Sequence, residues 1–326
     1  MNICFITDGG LQMGMGHVMQ STTLARELRG SADICFLTKS DETVMTMIRE
    51  SGFDVARAKS DSDILRRLAA MEPDLIIVDK IDFDEALARD IKSRLTARLI
   101  IFTNLTSANM YADVAVTADI GSGFENIVYT DSDTRTLYYY GPKYWVLRRE
   151  FYEYKRKGKA ASREVETVLL MFGGSDPANL TSAALQELLG LDRMLRIDVI
   201  LGAHFGHADT VSLILERYTG RRANVTVYEN AKNVAELMYK ADLVIASPGL
   251  SVFEALCVGT PVIAMPQDAL QRDTYQGFFR MLERGEVGKL GGMIERAEFT
   301  YPNEDHIAMM EIGEGVPELL DVILAR

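Results

Sequence analysis

His17 is the first residue of the chain whose type and setting suggest chemistry. It sits in "GMGHVMQSTTLARELR", residues 14–29, directly after Gly14 and Gly16 and downstream of the apolar run Asn2 to Thr7. A histidine carried at the mouth of a glycine loop, where a helix begins, has the reach and titration range of a general base. The positive end of the helix dipole is expected to lower its pKa and keep the imidazole neutral near physiological pH. The bland alternative is a neutral polar residue at a helix start. A dinucleotide loop is disfavoured, because the third small residue of that fingerprint falls on Met19. The free amides of such a loop suit an anion.

Two later loops have the composition to bind what His17 would act on. "MFGGSDPANLTSAAL", residues 171–185, places Gly173 and Gly174 in a tight turn before Ser175, with Pro177 suited to a first helical turn. "DLVIASPGLSVFEALCVGTPVIAMPQ", residues 242–267, reads as strand, Pro248–Gly249 turn, helix, stop at Gly259 and a second strand. The helix opened by Ser251 offers unpaired amides to a diphosphate, and Glu254, one turn in, is placed to accept hydrogen bonds from ribose hydroxyls. A first-turn glutamate also stabilises a helix through its dipole, and glycine loops commonly join strand to helix in α/β proteins, so each feature has a structural explanation as well.

The elements that would position these loops are short β-rich runs alternating with amphipathic stretches. Asn2 to Thr7, Asp33 to Thr38, Leu75 to Asp79, Ala97 to Thr103 and Ala112 to Thr117 are the clear strands of the first half. The pattern restarts with Val165 to Phe172, Arg196 to Leu201, Val225 to Tyr228, Asp242 to Ala246 and Pro261 to Met265. This alternation predicts an α/β protein with parallel sheets covered by helices. At 326 residues and 48% hydrophobic composition the chain suits two cores. We expect domains at 1–152 and 165–326, joined through the basic, aperiodic stretch "YEYKRKGKAASRE", with the linker at about 153–164.

Composition narrows the partners. A net charge of −12 opposes general affinity for nucleic acid or anionic lipid. Cys4, Cys35 and Cys257 sit in apolar runs and read as reduced core thiols, and no ligand spacing suggests a metal site. No signal segment or membrane-length apolar run is evident, so a cytoplasmic protein without stable membrane insertion is expected.

These loops, in this order, resemble the GT-B superfamily of nucleotide-sugar enzymes, whose two Rossmann-like domains close on a sugar nucleotide across an interdomain cleft. The 249–267 segment is similar to the donor-binding segment of the peptidoglycan N-acetylglucosaminyltransferases. "GMGHVMQ", "YYGPKYWVLRREF", "MFGGSDPANLT" and Ser247 to Glu254 resemble more closely the landmarks of the UDP-2,4-diacetamido-2,4,6-trideoxy-altropyranose hydrolases of pseudaminic acid biosynthesis. The resemblance implies that His17 activates water and that Gly14, Gly16, Asp79, Gly173, Gly174, Ser175 and Gln271 lie along the substrate. It further implies that Gly249, Leu250 and Ser251 hold the diphosphate and Glu254 the ribose, without cofactor or metal. The chain departs from the pattern where an arginine is replaced by Gln20, where the tyrosine of a VDxY motif is Ile81, where "IFTNLTSAN" replaces an acidic segment, and where Pro248–Gly249 replaces a Gly-Gly pair.

The expected function is hydrolysis of a UDP-linked deoxyamino sugar for nonulosonic acid or surface polysaccharide synthesis. The first alternative is an inverting glycosyltransferase, in which His17 deprotonates an acceptor hydroxyl; a lipid-linked acceptor would then call for transient membrane contact, to which the basic and aromatic residues 144–159 are suited. A nucleotide-sugar-binding protein without catalysis and a nucleotide-sugar 2-epimerase are the remaining readings.

Overall fold

A computed structural model of the chain describes residues 1–10, 14–118, 125–160, 162, 164–218 and 224–325. They form two compact units, one of residues 1–147 with 309–326 and the other of residues 148–308.

The first unit is built on β1 (Asn2–Thr7), β2 (Asp33–Thr38), β3 (Asp54–Arg57), β4 (Leu75–Asp79), β5 (Arg98–Phe102), β6 (Val114–Thr117), β7 (Ile127–Thr130) and β8 (Leu137–Tyr140). Their order in the sheet is β3-β2-β1-β4-β5-β6-β8-β7, and only the β7–β8 pair is antiparallel. Helices α1 (Gly16–Leu28), α2 (Glu42–Glu50), α3 (Asp61–Met71) and α4 (Glu85–Arg94) make the crossovers. β1 and β4 read as nearly continuous apolar runs because helices cover both faces of the sheet, leaving their side chains almost fully buried. Asp41, Ser60 and Asp84 cap α2, α3 and α4 by accepting hydrogen bonds from first-turn amides. No side chain caps α1, which carries His17.

The second unit begins with α5 (Arg149–Lys157) and continues as a parallel sheet of β9 (Thr167–Met171), β10 (Arg196–Leu201), β11 (Asn224–Glu229), β12 (Leu243–Ala246) and β13 (Val262–Ala264), in the order β11-β10-β9-β12-β13. α6 (Leu180–Gly190), α7 (Ala208–Arg217), α8 (Val234–Lys240) and α9 (Leu250–Cys257) connect these strands. α10 (Ala269–Tyr275), α11 (Leu290–Arg296) and α12 (Asp305–Ala308) follow, and α13 (Val316–Leu324) ends the chain in the first unit. Both sheets place the first strand beside the fourth, so each has a topological switch point where chain direction across the sheet reverses. In open α/β sheets ligands bind beyond the strand carboxyl ends at such points. The two-body α/β fold expected from the sequence is the fold observed.

The division differs from the expected one at both ends. Residues 149–157, half of them in the expected linker, are helical, held by buried Phe151 and by the Tyr154 ring against that of Tyr239, with centroids 5.1 Å apart. Residues 309–326 belong with the first unit rather than the second. Buried Leu319 and Ile323 anchor α13, Arg98 Nη2 donates to the Val322 carbonyl at 3.2 Å, and Gly315 leaves room for the Tyr144 ring, which a Cβ would meet at 2.5 Å. Among the described residues the three cysteines are free and no helix is long and apolar enough to cross a membrane.

Within the second unit, Lys159 ties the segment after α5 to the sheet. Its Nζ donates to the carbonyl of Tyr239 at 2.7 Å, to that of Ala241 and to Thr260 Oγ1 at 3.0 Å. Methionine would fill the space and leave these acceptors without their donor. Lys159→Met is therefore expected to destabilise the chain by about 1–3 kcal/mol, read as a lowered urea midpoint with an unchanged slope.

Candidate functional site

In the first unit, four residues singled out from the sequence, Gly14, Gly16, His17 and Asp79, gather at the carboxyl ends of β1 and β4. Gly10 and Gly14 exchange backbone hydrogen bonds at 2.9 and 3.0 Å, closing a loop at whose end α1 begins. Gly14 has φ +72°, a left-handed conformation that glycine adopts without strain. A Cβ on neighbouring Gly9 would stand 2.8 Å from Val18, so the loop lies close against the helix.

Asp79 ends β4 and is 2% exposed. Its Oδ1 lies 2.8 Å from His17 Nδ1. A carboxylate can only accept, so the imidazole hydrogen sits on Nδ1 and Nε2 is left to receive a proton. Oδ2 of Asp79 accepts from Gln20 Nε2 at 3.1 Å and from Ser21 Oγ at 3.2 Å. Burial alone would depress the His17 pKa. The Asp79 charge and hydrogen bond, with Asp82 adding and Lys80 opposing, raise it above the ordinary value instead. The helix-dipole expectation is corrected here: the carboxylate in contact outweighs the partial charge of the helix end.

Beside the pair lies a second charged group that spacing did not reveal. Asp8, just beyond β1 and 4% exposed, receives Thr38 Oγ1 at 2.9 Å and the Lys39 amide at 2.6 Å, and its Oδ2 lies 2.8 Å from Lys80 Nζ. Burial disfavours its charged form, but Lys80 and the hydrogen bonds prevail and hold its pKa below the usual carboxylate value. The available signal was positional, since Asp8 and Lys80 directly follow the two strands that flank the switch point.

In the second unit Gln267, a residue the sequence reading passed over, ties Gln271 to the residues that flank Gly173, Gly174 and Ser175. Gln267 Nε2 donates to the Phe172 carbonyl at 3.3 Å, to Asp176 Oδ1 at 3.0 Å and to Ser247 Oγ at 3.0 Å. Its Oε1 accepts from the Ala178 amide at 3.0 Å, and its own amide donates to Gln271 Oε1 at 2.8 Å. The side chain thereby joins the loops after β9 and β12, and the Gln267 backbone amide ties them to Gln271 of α10. Asp176 fixes the start of α6 by accepting from the Leu180 and Thr181 amides at 2.9 and 2.8 Å. Gly202, in the loop after β10, lies so close that a Cβ there would meet Gly174 Cα at 2.5 Å.

Gly249 precedes α9 with φ +128° and ψ −155°, a conformation open in practice only to glycine. No side chain caps α9, which leaves the amides of Leu250 and Ser251 at its start, both residues half-buried. Glu254 does not join this loop surface. It is 4% exposed, and its Oε1 lies 3.5 Å from Arg148 Nη2. Burial pushes its pKa up to about 7 against the opposing charge of Arg148, with Glu150 adding to the rise. Among the described residues no group of three or more His, Cys, Asp and Glu side chains is arranged to hold a metal ion.

The His17–Asp79 pair has a direct signature. Asp79→Asn removes the charge that offsets the effect of burial, so the His17 pKa, followed by NMR titration of its ring protons, is expected to fall. In the native chain the raised pKa stabilises the fold fully below the unfolded value near 6.5, and the contribution is lost as pH rises through the folded value.

Residues 168–276 match the glycosyltransferase family 28 C-terminal domain. The whole chain is 40% identical over 328 aligned residues to an uncharacterized protein of Methanocaldococcus jannaschii; the match covers 99% of this chain, which spans 66% of that relative's length. It is 26% identical to the spore coat polysaccharide biosynthesis protein SpsG of Bacillus subtilis, over 85% of this chain and 81% of that one. It is 21% identical to the UDP-2,4-diacetamido-2,4,6-trideoxy-beta-L-altropyranose hydrolase of Campylobacter jejuni, over 78% and 88%. Among solved structures, MurG of Acinetobacter baumannii superposes with a TM-score of 0.64 at 14% identity, covering 99% of both chains. Anabaena HepE in complex with UDP-glucose does so with 0.58 at 15%, covering 99% of this chain and 100% of that one. The chain thus has the GT-B fold, and the part of its second unit from 168 to 276 matches the glycosyltransferase family 28 C-terminal domain.

Proposed function

We propose that the protein uses a nucleotide sugar and hydrolyses a UDP-linked deoxyamino sugar, with His17 as the base that activates water. The observation that carries this reading is the His17–Asp79 pair, with Nδ1 held at 2.8 Å and Nε2 available for a proton. Support for the nucleotide comes from the family match of the second unit, from the named hydrolase among the relatives and from the UDP-glucose bound by a protein of the same fold.

In this reading the second unit holds the donor and the first supplies the base. The glycine turn at Gly173 and Gly174, with Ser175 and Gln271, borders the donor. Gly249 and the amides of Leu250 and Ser251 receive the diphosphate. Water passes a proton to His17 Nε2 as its oxygen bonds to the anomeric carbon. The bond from that carbon to the diphosphate oxygen breaks with its electron pair, and UDP leaves as an anion stabilised by the amides. Asp79 keeps its proton count throughout and stabilises the imidazolium, which then releases its proton to solvent.

A second reading, an inverting glycosyltransferase, is favoured by the family 28 match. It uses the same base on an acceptor hydroxyl. The deciding experiment incubates the chain with a panel of UDP sugars, with and without lipid-linked acceptors, and identifies products by mass spectrometry. Free sugar and UDP are expected; a glycosylated acceptor would instead establish the transferase. His17→Ala should lower turnover by about 10²–10⁴-fold while UDP binding, measured by calorimetry, persists. Unchanged turnover in that variant would remove His17 from the mechanism. Gly249→Ala, strained at φ +128°, should weaken UDP binding and leave the His17 titration unaltered.

A further inference from the structure

Asp79 meets His17 through one oxygen, and every donor to its other oxygen is uncharged: the Gln20 amide at 3.1 Å and the Ser21 hydroxyl at 3.2 Å. Gln20 is itself 2% exposed and anchored a second time, its Nε2 donating to Thr103 Oγ1 at 3.2 Å. Thr103 sits in the left-handed region at φ +54°, where a threonine is strained, and presents that hydroxyl just beyond the end of β5. The amide cannot be turned over without pointing its oxygen at the carboxylate. In the orientation it takes, Oε1 is buried with no hydrogen-bond partner among the described residues. Burying an unmet acceptor is costly, so the position is committed to donating toward Asp79.

The cations nearby are engaged elsewhere. Lys80 Nζ lies 2.8 Å from Asp8 and 3.7 Å from Asp82, and Lys39 pairs with Asp61 at 2.9 Å. The charged groups acting on His17 are therefore Asp79 in contact, Asp82 and Lys80 farther off, and Asp8 behind Lys80.

We infer that Gln20 is a positioning residue that sets the base strength of His17: its uncharged amide anchors one oxygen of Asp79, turns the other onto the imidazole and leaves the charge of the carboxylate unshared. The functional half of this inference rests on His17 being the base proposed above. A cation at position 20 would divide the Asp79 charge between two partners and weaken the imidazole as a proton acceptor. An apolar side chain of similar length would leave the Ser21 hydroxyl to hold that oxygen without the Gln20 amide, and loosen the carboxylate's alignment on Nδ1.

The test uses the full chain and two readouts. In Gln20→Arg the His17 pKa, followed by NMR, should fall by about one pH unit or more, the order expected for a cation placed on the partner carboxylate, and the rising limb of the pH–rate profile for UDP release should move with it. In Gln20→Met, close to the native side chain in volume, kcat should fall roughly ten-fold with KM little changed, an order expected for a misaligned base. That loss should vanish when the same change is made in the Asp79→Asn background, because the effect passes through the carboxylate. An unmoved His17 pKa in folded Gln20→Arg, or an equal kcat loss from Gln20→Met in both backgrounds, would overturn the inference. A moved pKa with an unmoved rate limb would support the Gln20 contact while overturning His17 as the base.

Discussion

A carboxylate shut away from water must be met by the protein, and Asp79, 2% exposed at the end of β4, is met by His17, Gln20 and Ser21. All three partners come from the first two turns of α1, so the charge fixes where the helix starts as well as which way the imidazole faces. The close approach of α1 to the loop at Gly9 and the bridge between Gly10 and Gly14 serve the same end. Removing the carboxylate would leave polar groups of α1 buried without their acceptor, which makes the site and the packing of this corner one problem rather than two.

In the second unit an uncharged side chain does the comparable joining. Gln267 has both a donor and an acceptor at one end, and it uses them on the two loops that converge at the β9–β12 switch point. An amide suits that place if an anion is to sit nearby, because a carboxylate would repel it and a buried cation would need its own partner. Asp176, the one acid in the loop, spends both oxygens on the α6 amides and the Gln267 amide. With a chain charge of −12, attraction for a diphosphate has to be local, from amides at loop and helix starts.

Much of this arrangement can be read from the residues alone, for physical reasons. Buried parallel strands such as β1 and β4 leave unbroken β-branched and aromatic runs, and glycine punctuates the loops that follow them. The edge strands β3 and β7, and β8 beside β7, are only four residues each and left no such mark. Helix α5 escaped because a stretch dense in lysine and arginine needs only Phe151 and Tyr154 to hold it, too few apolar residues to show a period. The return of residues 309–326 to the first unit depends on Gly315 fitting the Tyr144 ring, a contact between residues 171 positions apart that no local pattern encodes. At the site, His17 and the glycines were legible from type and spacing. Gln267 and the Asp8–Lys80 pair were not, because a single polar residue after a strand looks like any loop residue until its partners are in place.

The reaction itself turns on less than the fold does. With His17 as the proposed base, water and a sugar or lipid hydroxyl would present the same O–H to Nε2, so the His17–Asp79 pair would have the same task in hydrolysis and in transfer, and a fold shared at 14% identity is equally neutral between them. What differs is whether the nucleophile must be recruited from bulk solvent, where it is abundant, or bound with directional contacts. A base facing water gains from high proton affinity alone, whereas an acceptor substrate needs further groups to orient its hydroxyl. The two buried carboxylates at this corner are already satisfied: Asp8 by Thr38, Lys39 and Lys80, and Asp79 by α1. Such a self-contained set strengthens the base and offers few spare contacts to an acceptor, and this is the physical reason for placing hydrolysis ahead of transfer.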